Sequence, residues 1–196
     1  MQGGLFIMEN KKYLPIKIAH AVLMLAALVM LVIALVKSDF NNSIFGPSVF
    51  PVLCSITNIL ALIAGFIYLF KGYKKNANVY YKLFMGLCVL YEVLRTVYSA
   101  QFKMPYLDIF VYTIATIMIV ILAVGKDLGK RNTYLVYGIV LICRIVPLFT
   151  VLNSFRFLGS SGFGILSQAI TNLLLAGTIG FMITGKYLDK AERGTK

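Results

Sequence analysis

Residues 79–100 read VYYKLFMGLCVLYEVLRTVYSA. The run is long and apolar enough to cross a bilayer, whose hydrocarbon core of about 30 Å needs roughly 20 helical residues. Yet Glu92 and Arg95 sit well inside it. A charge at the centre of a bilayer helix costs about 2.5–3.5 kcal/mol on insertion scales, so such residues point to a function and to partners elsewhere in the chain. Working outward, five further apolar runs cover 16–36, 50–70, 106–124, 133–152 and 164–185. Inside hydrocarbon no water satisfies backbone groups, so each run is expected to be helical. The fold class expected is an all-α integral membrane protein of six transmembrane helices. It forms a single domain over 1–196 that ends in a short basic tail at 186–196.

Composition agrees. The chain is 60% hydrophobic with a mean hydropathy of +0.86, well above the 45–50% apolar content of typical soluble domains. The net charge of +12 is not that of a nucleic-acid binder, because the basic residues fall in short clusters between apolar runs. Clusters of that kind set membrane orientation and meet anionic headgroups, so the expected surroundings are a lipid bilayer with no nucleic-acid partner. Cys54, Cys88 and Cys143 all lie within apolar runs, without a CxxC pair or a His/Cys cluster. Buried free thiols are therefore expected, with no disulfide framework and no metal site. With no tryptophan, Tyr13, Tyr73, Tyr80, Tyr98, Tyr106 and Tyr187 are placed to form the interfacial belt. Met1 and Met8 are both candidate starts, and residues 1–7 are assigned no role. The first run is too long for the apolar core of a signal peptide and is read as a retained helix.

Orientation follows from Lys and Arg. Of the nineteen, fourteen fall in the N-terminal segment, the second and fourth loops and the tail. Three (Lys37, Lys103 and Arg156) fall on the opposite side, and Arg95 and Arg144 lie within the membrane. By the positive-inside rule both termini are expected in the cytoplasm, with the chain in the plasma or inner membrane.

With orientation assigned, depth follows. Glu92, Arg95 and Arg144 fall at or beyond the midplane toward the outside, and Asp108 near the outer end of the fourth helix. Asn58, Gln168 and Asn172 fall in the outer halves of the second and sixth helices. Faces agree with depths. Cys88, Glu92, Arg95 and Ser99 follow a 4-3-4 spacing, one stripe of a helix. Cys54, Asn58, Ala61 and Gly65 share a face of the second helix, and Gly164, Gln168, Asn172, Ala176 and Gly180 recur every four residues in the sixth. Small residues let helices approach closely and amides can bond across the contact. The expected pairs are Glu92–Arg144 and Arg95–Asp108, with Glu92–Arg95 as the local alternative. The candidate ligand-binding residues are Glu92, Arg95, Asp108, Arg144, Asn58, Gln168 and Asn172. Tyr91 and Tyr112 are read as packing or belt residues, His20 as a lone interfacial residue, and 28–36 as a lipid-facing stretch.

No enzyme signature is present: no GxSxG, no HExxH, no P-loop and no cofactor motif. No catalytic residue and no cofactor is expected. Six helices, the expected cytoplasmic termini and the outward-biased polar cluster resemble the substrate-binding membrane subunit of energy-coupling-factor vitamin importers. That family often carries alanines every four residues on its first helix for docking to a membrane coupling partner. Here Ala19, Ala21, Ala26, Ala27 and Ala34 do not form that series. The resemblance implies a small-molecule ligand and partner subunits in the membrane or of the ATPase class. The function expected is binding of a small anionic or zwitterionic solute in an outward-facing pocket for transport. The alternative is a non-catalytic scaffold or accessory subunit whose ionic network is only a clasp, and a lipid-modifying enzyme comes third.

Overall fold

The computed structural model describes residues 14–37, 49–71, 77–101, 106–124, 128–154 and 162–194. They form six helices: α1 (Leu14–Lys37), α2 (Val49–Lys71), α3 (Ala77–Gln101), α4 (Tyr106–Val124), α5 (Gly129–Ser154) and α6 (Gly162–Gly194). All six are long and apolar enough to cross a membrane. The expected interhelical turns at 41–47, Gly72, Pro105, Gly125 and 159–161, together with Tyr13 and Tyr73, lie outside the described residues.

Helix ends depart from the apolar boundaries by more than two residues in two places. α5 begins at Gly129 rather than at Thr133, because hydropathy stops at Lys130, Arg131 and Asn132 while the backbone does not. Gly129 takes φ 71°, and the Thr133 hydroxyl donates to its carbonyl at 2.8 Å. A left-handed φ is open to glycine and costly for other L-residues. At the other end, α6 runs on to Gly194, ten residues past the last apolar window at Thr184. The basic tail is therefore largely helical. Its Lys, Leu, Ala, Glu and Arg are good helix formers, and no proline interrupts them.

Each helix touches its chain neighbours, α1 touches α6, and α2 also touches α6. The six thus close a ring in which α1 sits outside the α2–α6 contact and α2 to α6 enclose the interior. Named contacts give the directions. Tyr81, early in α3, donates to the carbonyl of Leu122 at the end of α4. His20, early in α1, bonds Thr178 late in α6. Phe50 at the start of α2 packs on Tyr98 near the end of α3, and Gln168 early in α6 bonds Ser55 early in α2. The helices therefore alternate. One end of the bundle gathers His20, Tyr81 and Thr178. The far end gathers Phe50, Ser55, Tyr98 and Gln168.

In lipid the apolar effect does not hold helices together, so close packing and interhelical polar contacts carry the load. α1 shows the division clearly. Ile18, Val22, Leu25, Val29, Val32 and Val36 form an exposed stripe at alternating 4-3 spacing, and Ala21, Met24, Ala27 and Leu31 are buried. The 28–36 stretch is exposed at Val29, Val32, Ile33 and Val36, whereas Leu31 is fully buried because its register continues the inner stripe, and Leu28 packs against the core beside it. His20 is not a lone residue either. Its ring lies 5.1 Å from Phe181, and its Nε2 is 3.0 Å from the Thr178 hydroxyl. Gly177 makes room for it: a Cβ there would stand 2.8 Å from His20 Cε1.

An Ile-Thr-Asn tripeptide occurs at 56–58 in α2 and again at 170–172 in α6, and its threonine does the same local work in both. Thr57 bonds back to the Leu53 carbonyl at 2.7 Å and Thr171 to Ser167 at 2.8 Å. Both satisfy their hydroxyl within the helix. Gly65 in α2 and Gly180 in α6 make room for Phe84 and Tyr137 respectively. Of the tyrosines expected in the interfacial belt, Tyr106 is 90% exposed at the first position of α4, whereas Tyr80 and Tyr98 are partly buried.

Candidate functional site

The 4-3-4 stripe of α3 faces inward: Cys88, Glu92 and Ser99 are buried and Arg95 is half-buried. The stripe meets α5 across the ring. Arg144 Nη1 forms an ion pair with Glu92 Oε1, and the two side chains are 2% and 0% exposed. This is the first expected pair, made between helices that point the same way and are not chain neighbours. Burying two charges is repaid only if geometry and further hydrogen bonds are good.

Those further bonds are incomplete. Arg144 Nε and Nη2, Glu92 Oε2 and Arg95 Nε are buried without a hydrogen-bond partner among the described residues. Arg144 is thus used on one side only. Its Nη1 holds Glu92, while the Nε and Nη2 side of the guanidinium, the edge that grips a carboxylate with two parallel bonds, is unengaged.

The expected Arg95–Asp108 pair does not form, nor does Glu92–Arg95; Arg144–Glu92 is the ion pair found among the described residues. The Arg95 guanidinium stands 5.4 Å from the Tyr98 ring centroid and 5.5 Å from that of Tyr112, within reach of the Tyr112 hydroxyl. Aromatic faces attract a desolvated cation. Asp108 shares the Tyr112 face of α4 but lies one turn nearer its start, half-buried and within electrostatic range of Arg95. It sits in the first helical turn, where free backbone N–H groups stabilise a carboxylate.

α6 supplies the third wall. Asn172 Nδ2 donates to the Tyr91 hydroxyl at 2.7 Å, which joins α6 to α3, and Arg144 lies 5.7 Å above the Tyr91 ring. Gln168 Nε2 donates to Ser55 Oγ at 2.9 Å, and Ser55 in turn donates to the Pro51 carbonyl. Asn172 Oδ1 is buried and unpartnered among the described residues.

Between these walls is a cavity of about 20 Å³. Tyr91, Arg95, Tyr112, Arg144, Gln168 and Asn172 line it with polar groups. Cys143, Pro147 and Val151 of α5, spaced four apart, face Ile165 and Ala169 of α6 as its apolar side. Pro147 has no N–H, so the Cys143 carbonyl loses its helical partner at the cavity wall. Of the seven candidate residues, Arg95, Arg144, Gln168 and Asn172 thus meet at one cavity. Glu92 stands behind Arg144 as its counter-ion. Asp108 and Asn58 do not line the cavity. Asn58 shares the expected face of α2 and is fully buried, with both amide atoms unpartnered among the described residues. Tyr91 and Tyr112, expected as packing or belt residues, also line this cavity. The available signal was spacing: Tyr91–Arg95 and Asp108–Tyr112 are both i,i+4 pairs.

Among the described residues no group of three His, Cys, Asp or Glu gathers that could hold a metal ion. Cys54, Cys88 and Cys143 are free and buried.

No protein-family model matches the chain, and neither a curated protein nor a solved structure shows significant similarity to it. What the fold defines is a class: an all-helical chain with six helices fit to cross a membrane, enclosing one buried ion pair and a polar cavity.

Proposed function

We propose that the chain is a multi-pass plasma-membrane protein, with both termini in the cytoplasm, that binds a small anionic or zwitterionic solute for transport. The cavity at the far end of the bundle is the binding pocket, and under the positive-inside assignment that end faces outward. One observation carries the reading. The Nε and Nη2 groups of Arg144 are buried, unpartnered among the described residues, and at the lining of the same cavity as Arg95. A guanidinium with a free edge in a low-dielectric site favours a carboxylate or another small anion. A purely structural clasp is expected to saturate its groups, since a half-satisfied buried network is worse than an apolar core.

The second reading, a scaffold or accessory subunit, is favoured by cavity size. About 20 Å³ holds little more than one water. A vitamin-sized ligand therefore requires the helices to part. Partner subunits in the membrane or of the ATPase class, implied by the architectural resemblance, would supply the coupling energy.

The test is thermal unfolding of the purified protein in detergent, followed with a thiol-reactive dye. The three free cysteines are buried, so unfolding exposes them to the dye. The panel holds amino acids, organic acids, vitamins and lipids, with Arg144→Ala in parallel. A ligand at roughly 100 times its dissociation constant adds about 2.7 kcal/mol to the native state. Stabilisation by one class, absent in a folded Arg144→Ala, supports solute binding. No stabilisation by any compound, with a variant that only loses stability, moves the assignment to the scaffold.

A further inference from the structure

We infer that the occupant of this cavity is a compact monovalent anion, of the size of chloride, bromide or formate, seated on the free edge of Arg144. The inference rests on the solute-binding reading and narrows it by size, charge and contact atoms.

Size comes first. On the measure by which the cavity has about 20 Å³, roughly 10–15 Å³ holds one water. A monatomic or near-monatomic anion fits that space. Acetate, an amino acid or a vitamin does not fit without displacing Pro147, Ala169 or Ile165 from the lining.

Charge comes second. Two guanidinium groups, Arg95 and Arg144, border the cavity, and one buried carboxylate, Glu92, offsets one of them. Asp108 is half-buried at the start of α4 and makes no ion pair with Arg95. Beyond the Glu92–Arg144 pair the site thus carries the charge of Arg95, which Asp108 offsets only from a distance, in a medium where charge is costly. A single negative charge cancels it, whereas a dianion reverses the imbalance.

Contact atoms come third. Arg144 Nε and Nη2 and Arg95 Nε are buried donors without partners among the described residues. Tyr91 accepts from Asn172 at 2.7 Å, so its own hydroxyl proton remains for an acceptor. Three side chains on α3 and α5 therefore offer N–H or O–H donors at one small cavity. Cys143, Pro147, Val151 and Ala169 form its apolar side. A partly desolvated halide takes such a donor set, as anion pores built on basic residues do.

The experiment is thermal unfolding of the full chain in sodium gluconate, replaced stepwise at constant ionic strength by fluoride, chloride, bromide, formate, acetate, glycine or sulfate. Two variants accompany the native protein. Arg144→Lys keeps the charge opposite Glu92 but removes the Nε/Nη2 edge. Ala169→Val leaves both arginines intact and fills the cavity. The expected result is saturable stabilisation by chloride, bromide and formate but not by sulfate or acetate. The apparent Kd is expected to rise roughly tenfold or more in Arg144→Lys, which is what losing one good charge-assisted hydrogen bond does. Loss of the response in Ala169→Val, with its unfolding midpoint in gluconate preserved, shows that the anion occupies this cavity. Should Arg144→Lys fail to fold, Ala169→Val decides alone. Stabilisation by an organic solute, dependent on Arg144 and without a halide response, overturns the size assignment and leaves solute binding standing. Stabilisation in the same order and amount in all three proteins is a general salt effect and overturns the site. No response to any anion or solute overturns both readings and makes the occupant a buried water.

Discussion

Removing either member of the Glu92–Arg144 pair is expected to cost far more than removing both. The pair is 0% and 2% exposed, and Glu92 Oε2 is already unpartnered among the described residues. Glu92→Leu leaves the Arg144 guanidinium uncompensated, with Arg95 at the same cavity adding repulsion rather than relief. Breaking a buried pair from one side costs about 3–5 kcal/mol, and Glu92→Leu is expected at the upper end of that range. Arg144→Leu leaves a carboxylate that Arg95 still reaches electrostatically, which places it at the lower end. The double variant Glu92→Leu/Arg144→Leu removes both desolvation penalties. It is expected to be neutral or more stable than the native protein by about 1–4 kcal/mol. With single losses near about 5 and about 3 kcal/mol and a double variant at zero or better, the coupling energy of the cycle is about 8 kcal/mol or more. The assay is equilibrium unfolding of all four proteins in mixed micelles, read by helical circular dichroism and by dye reaction at the buried cysteines. Ordinary interhelical polar contacts in membranes couple by about 0.6 kcal/mol. A measured coupling in that range would refute the argument that this pair is desolvated and mutually dependent.

Two further predictions test the packing around the site. A Cβ at Gly65 would stand 2.9 Å from the fully buried Phe84 ring and 3.2 Å from Thr178, whereas one at Gly86 meets nothing within 4 Å. Both Gly→Ala changes gain about 1 kcal/mol of helix propensity. Overpacking takes back about 1–3 kcal/mol at Gly65, so Gly65→Ala should unfold more readily than Gly86→Ala in the same micelle titration, and equal stabilities would refute the close contact. Asn58→Leu is expected to stabilise by about 1–3 kcal/mol, because it replaces an amide whose buried atoms have no partner among the described residues. A loss of stability on unfolding the variant would mean that Asn58 is satisfied in the membrane by a bound molecule.

Much of this architecture is legible in the sequence for simple physical reasons. Hydrocarbon imposes one length and one secondary structure, so apolar runs translate directly into helices. Alternation then converts sequence position into depth, which brings Glu92 and Arg144 to one level although 52 positions separate them in the numbering. Periodicity adds the face, and the buried stripes of α2 and α3 follow it. What depth and face do not supply is azimuth around the ring and the side-chain competition within it. Arg95 and Asp108 are expected at similar depth, yet Arg95 settles against Tyr98 on its own helix and Tyr112 on α4, one turn beyond Asp108. Asn58 has the right depth and face, but it does not line the cavity that Gln168 and Asn172 line. His20 reads as a boundary residue until Gly177, 157 positions on, is seen to make room for its ring. Contacts of this kind depend on which helices are neighbours, and no local spacing encodes that.

The clasp and the site are not competing descriptions of Arg144, because a guanidinium has two usable edges. Glu92 takes Nη1 and fixes α3 against α5. That contact orients the planar group and leaves Nε and Nη2 without a partner among the described residues. A lysine would satisfy the first role with one charge and present no second edge. Arg95 points the same way. A clasp needs one cation for one carboxylate, and Arg95 is surplus to it, held by aromatic rings rather than by an acid. Pro147 lies one turn beyond Arg144 and interrupts the α5 hydrogen-bond ladder beside the cavity. Helices bend most readily where that ladder is broken. A structural ion pair needs neither the excess cation nor the free guanidinium edge, and these two features are what the proposed anion-binding reading uses.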